Sequence, residues 1–298
     1  MTNSGRSKTL HHKPQPVDSV DNLRERVARL FATTSKQTIV HNQLTLGLPS
    51  VVEPASGIAY PSMHIAEFLD FITDAMPEGD VYLFGGVLRD LALLGRSGFS
   101  SDIDTVVEGD WENCVKYLDS LGARRNKFGG YRLEVAGWPV DIWNAKETWA
   151  IKNGFVQYKG IASLTETTVL NWDAILMNWR TRSFICRPFY FEQLRARILD
   201  IVLEENPNPL GMAVRVFRHL CLKDAKQLTK KAARYLADCT KKYDFSTIMR
   251  HELESYGNSV IAPAVYRLFE HLTDYESMDI NRGFSIASDA LKRELGFG

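Results

Sequence analysis

A strand pattern that runs into two glycines, then a helix, then a second strand carrying two aspartates restricts the fold more than any other feature of this chain. Residues 80–84 are an apolar run of strand length, and Gly85-Gly86 turns it sharply. Residues 87–94 have helical spacing and stop at Gly95, and residues 101–107 read as a strand again. Residues 110–121 predict a further helix, capped by Asp110 and ended by Gly122. Residues 124–128, 131–135 and 139–143 read as strands around Gly129-Gly130 and Gly137. Helices interleaved with strands, followed by a run of strands, predict an α+β domain built on a mixed sheet.

The flanks are simpler. Residues 1–19 read as a polar, flexible tail without the apolar stretch of a secretory signal. Residues 20–32 predict a helix with Leu23, Val27, Leu30 and Phe31 on one face and Asp21 as its cap. Residues 39–48 are a strand or irregular, 54–61 a loop, and 62–76 a helix capped by Ser62. Beyond the sheet pattern, residues 165–179 are helical or extended, and 183–187 and 198–203 are short segments. Helices are then expected at 210–222, 225–242, 245–256 and 262–274. The Glu-Glu-Asn-Pro-Asn-Pro run at 204–209 marks a boundary, giving a sheet domain over 20–206 and a helical domain over 207–298.

Charge excludes some classes of function. Lys plus Arg and Asp plus Glu number 36 each, so neither a polybasic coat nor an acidic solvating protein is at hand. A polyanionic partner needs a local basic patch. Cys114, Cys186, Cys221 and Cys239 form no Cys-x-x-Cys pair, so zinc and disulfide frameworks are not expected and a reducing compartment is. No stretch approaches the ~20 apolar residues of a membrane span. The expected location is the cytoplasm, with no membrane partner.

Asp102 and Asp104 lie two apart on a predicted strand, so both carboxylates project from one face. Two like charges there call for a cation, and oxygen-only ligands suit Mg²⁺ or Mn²⁺. Gly85-Gly86 before a helix permits close approach of a phosphate to the backbone and to the positive end of the helix dipole. Together the two features describe a nucleoside-triphosphate site. Asp141, in Trp-Pro-Val-Asp-Ile-Trp, is the candidate third carboxylate of a two-metal arrangement; a local hydrogen-bonding role is the other reading.

The run Gly-Gly-Val-Leu-Arg-Asp over 85–90, Gly95-Arg96, and Asp-Ile-Asp-Thr-Val-Val over 102–107 resembles the head domain of class II tRNA CCA-adding enzymes and bacterial poly(A) polymerases, of the polymerase β nucleotidyltransferase superfamily. The resemblance implies a nucleotidyltransferase domain over 20–206. It gives Asp102 and Asp104 the role of metal ligands, with Asp141 completing the catalytic set. It gives Gly85, Gly86, Arg89 and Asp90 roles at the nucleotide. Weaker echoes follow. Asn171 to Asn178 resembles a ribose- and phosphate-contacting motif, making Asp173 and Asn178 candidates, although Asn171 and Trp172 replace its two arginines. Arg215 and Arg218, one turn apart, preserve an Arg-x-x-Arg motif. The acidic position that helps to select CTP and ATP in CCA-adding enzymes is Asn208 here, and the Arg that follows is out of register.

The implied activity is Mg²⁺- or Mn²⁺-dependent transfer of a nucleoside monophosphate from an NTP (ATP, CTP or both) to the 3′ end of RNA, with tRNA the expected acceptor and pyrophosphate released. The alternative is a toxin-like or regulatory nucleotidyltransferase acting on tRNA, a protein or a small molecule. A third reading is a catalytically inactive RNA-binding relative, against which the intact Asp102/Asp104 pair argues. Lys223, Lys226, Lys230, Lys231, Arg234, Lys241 and Lys242 form either an RNA-backbone patch or a solvated helix face. Trp172, Trp179 and Tyr190 are either base-stacking or core residues.

Overall fold

Ser19 begins the first helix, α1 (Val20–Phe31), by accepting the Asn22 backbone N–H at 3.3 Å. Asp21, expected as the cap, sits inside the first turn instead. The computed structural model describes residues 15–32, 64–126, 128–223 and 225–261, and the backbone of a strand at Phe284–Ser285. The elements expected at 39–48, 54–61 and 262–274, the cap Ser62 and most of the tail lie outside the described residues. Helix α2 (Ile65–Asp74) starts from a capping box between His64 and Glu67.

Strand β1 (Asp80–Phe84) leads through Gly85 into α3 (Gly86–Leu94), then into β2 (Ile103–Glu108) and α4 (Trp111–Ser120). Asp110 precedes α4 in a left-handed conformation, φ 31°, and its side chain does not cap the helix. Strands β3 (Arg124–Arg125), β4 (Tyr131–Val135) and β5 (Trp138–Asn144) follow. A short helix α5 (Trp149–Lys152) and 3₁₀ turns at Ile161–Glu166 and Asn171–Asp173 lead to β6 (Ile175–Asn178) and β7 (Phe184–Cys186). The chain closes with α6 (Tyr190–Arg195), β8 (Ile198–Leu199), α7 (Pro209–Leu222), β9 (Gln227–Leu228), α8 (Lys230–Lys242) and α9 (Phe245–Tyr256). The helix expected from residue 225 begins five residues later, because Leu228 pairs with Leu199 and Thr229 caps Ala232.

Seven strands form a sheet in the order β3-β4-β5-β2-β1-β6-β7, an α+β architecture as expected. Only β2 and β5 pair in parallel; the other neighbours are antiparallel. Alternation divides each strand between two faces. Val81, Leu83, Ile103, Val107, Val140 and Ile142 join the main core with Leu23, Phe68, Leu88 and Leu91 of the helices. Each such side chain contributes about 1.5–3 kcal/mol by leaving water, which fixes which face looks inward. Tyr82, Phe84, Val106 and Leu176 point the other way and meet Ala145, Ile161 and Leu164 in a smaller cluster. Asp104 precedes Val106 by two residues, so it stands on this second face, beyond the end of that cluster. Trp172, Trp179 and Tyr190 are all buried, which decides for their core reading over base stacking.

Candidate active site

Two elements aim the acidic residues. Asp104 of β2 is the register partner of Asp141 of β5, and Asp141 is the register partner of Arg132 of β4. Arg132, Asp141 and Asp104 therefore make a row across three adjacent strands, on one face. Asp102, two residues before Asp104, joins this row from the residues leading into β2. Arg132 spans the gap between carboxylates, with Nη2 2.9 Å from Asp102 and Nη1 3.1 Å from Asp141. Asp104 makes no hydrogen bond or ion pair among the described residues. Burial pushes its carboxyl up to about 7, Arg215 opposes the rise, and Asp141, Asp102 and Asp173 add to it. Asp141 is likewise raised, by burial first, with Arg132 opposing.

The glycine turn lies next to this row. Gly85 has φ 61°, which only glycine adopts without strain, and Gly85 N–H donates to the Ile175 carbonyl at 3.0 Å. A Cβ on Gly86 would lie 3.1 Å from Ser101 Oγ. The turn is thus closely packed against the segment that delivers Asp102. Two clefts meet here, sharing Gly86, Asp104 and Arg215. The first, about 210 Å³, is walled by Phe84, Trp143, Leu170, Met212 and Val216 beside Gly85 and Asp173. The second, about 520 Å³, is lined by Ser100, Ser101, Asp102, Arg218, Lys223 and Tyr256 among others.

Beneath the row runs a buried ionic network. Arg89 is 4% exposed, and all three of its guanidinium nitrogens are taken. Its Nε donates to Asp90 at 2.9 Å, Nη1 to Asp173, and Nη2 to Ser101 at 3.1 Å. Asp90 also accepts from Ser101 Oγ at 2.7 Å and from Lys223 Nζ at 2.9 Å. Burial alone would raise the Asp90 carboxyl, but Arg89 and Lys223 hold it far below the usual carboxylate range. Asp173 is also held low against its burial, by Arg89 and Arg215. Arg215 Nη2 stands 3.9 Å from Asp173. His219 donates Nδ1–H to the Arg215 carbonyl at 2.8 Å, and burial together with Arg89 keeps the ring neutral.

The structure brings Gly85, Gly86, Asp102, Asp104, Asp141, Asp173 and Arg215 to one region. Arg89 and Asp90 lie under it. Arg218 is half turned away: it pairs with buried Glu252, donates to Asn258 at 3.0 Å, and lies 4.1 Å over the Tyr256 ring. Asn178, expected at the nucleotide, lines neither cleft. Strand β6 carries it away from Gly85 to the register of Tyr82, where its Oδ1 accepts the Thr181 N–H at 2.9 Å and shapes the β6–β7 turn. Lys223 leaves the proposed basic face, since it is buried on Asp90. The run Phe128 to Arg132 echoes the segment that bears the third carboxylate, but Arg132 itself is given no site role by the sequence, because one charge at an alternating strand position reads as a solvent-facing residue.

The donor set is all oxygen, which suits Mg²⁺ or Mn²⁺. No three potential ligands close on one point among the described residues, and Arg132 lies across Asp102 and Asp141. The three carboxylates fit a divalent cation by chemistry and by their shared face. No helix among the described residues is long and apolar enough to cross a membrane.

No family model matches this chain. No curated protein matches it either. Among solved structures it is similar to a CCA-adding enzyme in apo form I, at 17% identity, 71% coverage of this chain, 51% of that chain and TM-score 0.50. It is similar to a tRNA-processing enzyme in apo form I, at 17% identity, 73% and 59% coverage and TM-score 0.51. The Thermotoga maritima CCA-adding enzyme complexed with tRNA gives 18% identity, 69% and 50% coverage and TM-score 0.50. The chain spans half to three-fifths of the length of these proteins. The likeness shows the fold: a mixed α+β fold shared with part of these CCA-adding and tRNA-processing enzymes.

Proposed function

We propose that this chain transfers a nucleoside monophosphate from an NTP to a hydroxyl at the 3′ end of RNA, with tRNA as the acceptor and pyrophosphate as the leaving group. The observation that carries the reading is the register of Asp104 with Asp141, with Asp102 beside them, at the mouth of the Gly85-Gly86 turn. The tRNA-bound relative of the same fold supports the choice of acceptor.

Asp102, Asp104 and Asp141 would hold Mg²⁺ or Mn²⁺, which when bound supplies charge neutralisation at the triphosphate and lowers the pKa of the acceptor hydroxyl. The remaining work falls to the chain itself. The apolar wall of the smaller cleft, Phe84, Trp143 and Met212, excludes water from one side of the nucleotide. Gly85 and Gly86 let a phosphate approach the backbone at the start of α3. Arg215, lining both clefts, offsets phosphate charge where they meet. Arg89 and Asp90 act as positioning residues, because their charges are spent on each other, Asp173 and Lys223. They hold α3, α7 and the Asn171–Asp173 turn in fixed relation.

One observation favours an acceptor or base choice outside strict CCA synthesis. Asn208 Oδ1 accepts the Gly211 N–H at 3.0 Å and caps α7, so this acceptor is committed to the helix rather than to a base edge. A toxin-like or regulatory nucleotidyltransferase is the second reading. Incubation with each α-radiolabelled NTP, Mg²⁺ and total tRNA tests both. Label in the tRNA band, absent from an Asp102→Ala/Asp104→Ala control, is expected. Label that survives nuclease and enters a protein would favour the second reading, and no label with any NTP would overturn the first.

A further inference from the structure

The row of charges across β4, β5 and β2 contains a cation of its own. Arg132 is donated by β4, a strand that carries no other residue of the site, and its side chain is 56% exposed. It bridges Asp102 at 2.9 Å and Asp141 at 3.1 Å, one nitrogen to each. Both carboxylates are candidate metal ligands, so the guanidinium stands between the groups that a divalent cation would join. Asp104, the third carboxylate, is left without a cation in contact among the described residues.

We infer that Arg132 is the resident counter-cation of the carboxylate site in the metal-free protein, and that a divalent cation binds by displacing it. The inference rests on the reading of Asp102, Asp104 and Asp141 as metal ligands. Three observations support it beyond the contacts themselves. The strand register fixes Arg132 beside Asp141, so the bridge follows from backbone pairing and not from a chance rotamer. The exposure of Arg132 leaves room for its long side chain to swing aside, whereas Arg89, in the same region, is buried with every nitrogen occupied. Finally, Arg132 touches only two of the three carboxylates, and Arg215 acts on Asp104 without contact, so neutralisation is incomplete. A doubly charged ion gains by replacing Arg132, and the carboxylates stay apart without collapse until it arrives.

The test is Mn²⁺ binding to the protein, followed by electron paramagnetic resonance of free Mn²⁺ at fixed pH and ionic strength. Three proteins are compared: wild type, Arg132→Met and Arg132→Lys. Displacement predicts that Arg132→Met binds Mn²⁺ about two- to thirtyfold more tightly than wild type, the range set by two partly exposed ion pairs of ~0.2–1 kcal/mol each. Arg132→Lys retains charge but loses the two-pronged bridge, so it falls between. A merely structural Arg132 would leave affinity equal or weaken it. Equal or weaker Mn²⁺ binding by Arg132→Met, with wild-type binding that Asp104→Asn abolishes, overturns the inference and leaves the metal site standing. Absence of Mn²⁺ binding to wild type overturns both together.

Discussion

Arg89 and Arg132 each make ion pairs to two aspartates, yet their loss should have very different consequences. Arg89→Met removes a guanidinium that is 4% exposed and bonded to Asp90, Asp173 and Ser101. Lys223 remains 2.9 Å from Asp90, so that carboxylate keeps a charged partner. Asp173 is left with Arg215 alone, at 3.9 Å, too far for a hydrogen bond. Stranding one buried carboxylate costs about 3–5 kcal/mol, and the lower end applies because half of the network survives. About 3 kcal/mol in a folded unit of this size lowers Tm by roughly 6–12 °C. Arg132→Met removes two contacts from a half-exposed side chain, and should cost about 0.4–2 kcal/mol. Thermal unfolding followed by circular dichroism in EDTA at neutral pH reads both. If the two variants melt within about 2 °C of each other, burial does not decide the worth of these pairs and the reasoning fails.

Four further outcomes follow from the same geometry. Asp104 titrates at about 7 in the folded chain against 3.8 in the open chain, so the folded state binds the extra proton between those values. Metal-free stability should therefore fall as pH rises from about 4 to 7 and level off above; urea midpoints at several pH values should show this slope in wild type and a smaller one in Asp104→Asn, where the raised Asp141 carboxyl remains. Asp90 and Asp173 are shifted the other way, so their contribution is present above the ordinary carboxylate pKa and lost in acid as pH falls through their lowered values. Asp102→Ala/Asp104→Ala should keep the fold but lose at least ~10³-fold in nucleotidyl transfer, equivalent to about 4 kcal/mol of transition-state stabilisation, measured as initial rate. Gly85→Ala should destabilise by about 1–2 kcal/mol through its positive φ, with a melting shift that a Gly95 control of similar φ matches only in stability and not in KM for the NTP.

Much of the site was readable because its physics is local. Alternation on 80–84 and 103–107 and the glycine pair need only neighbours in sequence to be recognised. Strand β2 nonetheless starts at Ile103 rather than 101. Ser101 gives its hydroxyl to Asp90, and the Ser100 N–H reaches the same carboxylate at 3.4 Å, so these residues serve the network rather than the ladder. The run 165–179 carried no clear period because it is mostly buried on all sides: turns first, then β6 between β1 and β7. Arg132 and Lys223 acquire their meaning only across the fold. Arg132 meets Asp102 thirty residues away in sequence, and Lys223 meets Asp90 from the end of α7. No spacing rule connects such pairs.

The two ionic layers differ in a way that assigns them different tasks. In the lower layer each charge has an opposite partner and little water: Arg89 with Asp90 and Asp173, Lys223 with Asp90. A closed, buried set of this kind resists any added ion, since a newcomer would leave one member unpaired. It can lock α3 against α7, but it has no capacity left for a ligand. The upper layer is open. Asp104 has no cation in contact among the described residues, and the bridge across Asp102 and Asp141 is half in solvent. Arg215 belongs to both layers, 3.9 Å from Asp173 and lining both clefts. Rigidity beneath and unmet charge above is the arrangement that a phosphoryl-group chemistry needs, because positioning has to be settled before charge is brought in. Arg89 and Arg132, alike in each pairing with two aspartates, thus stand on opposite sides of that division, and burial separates them.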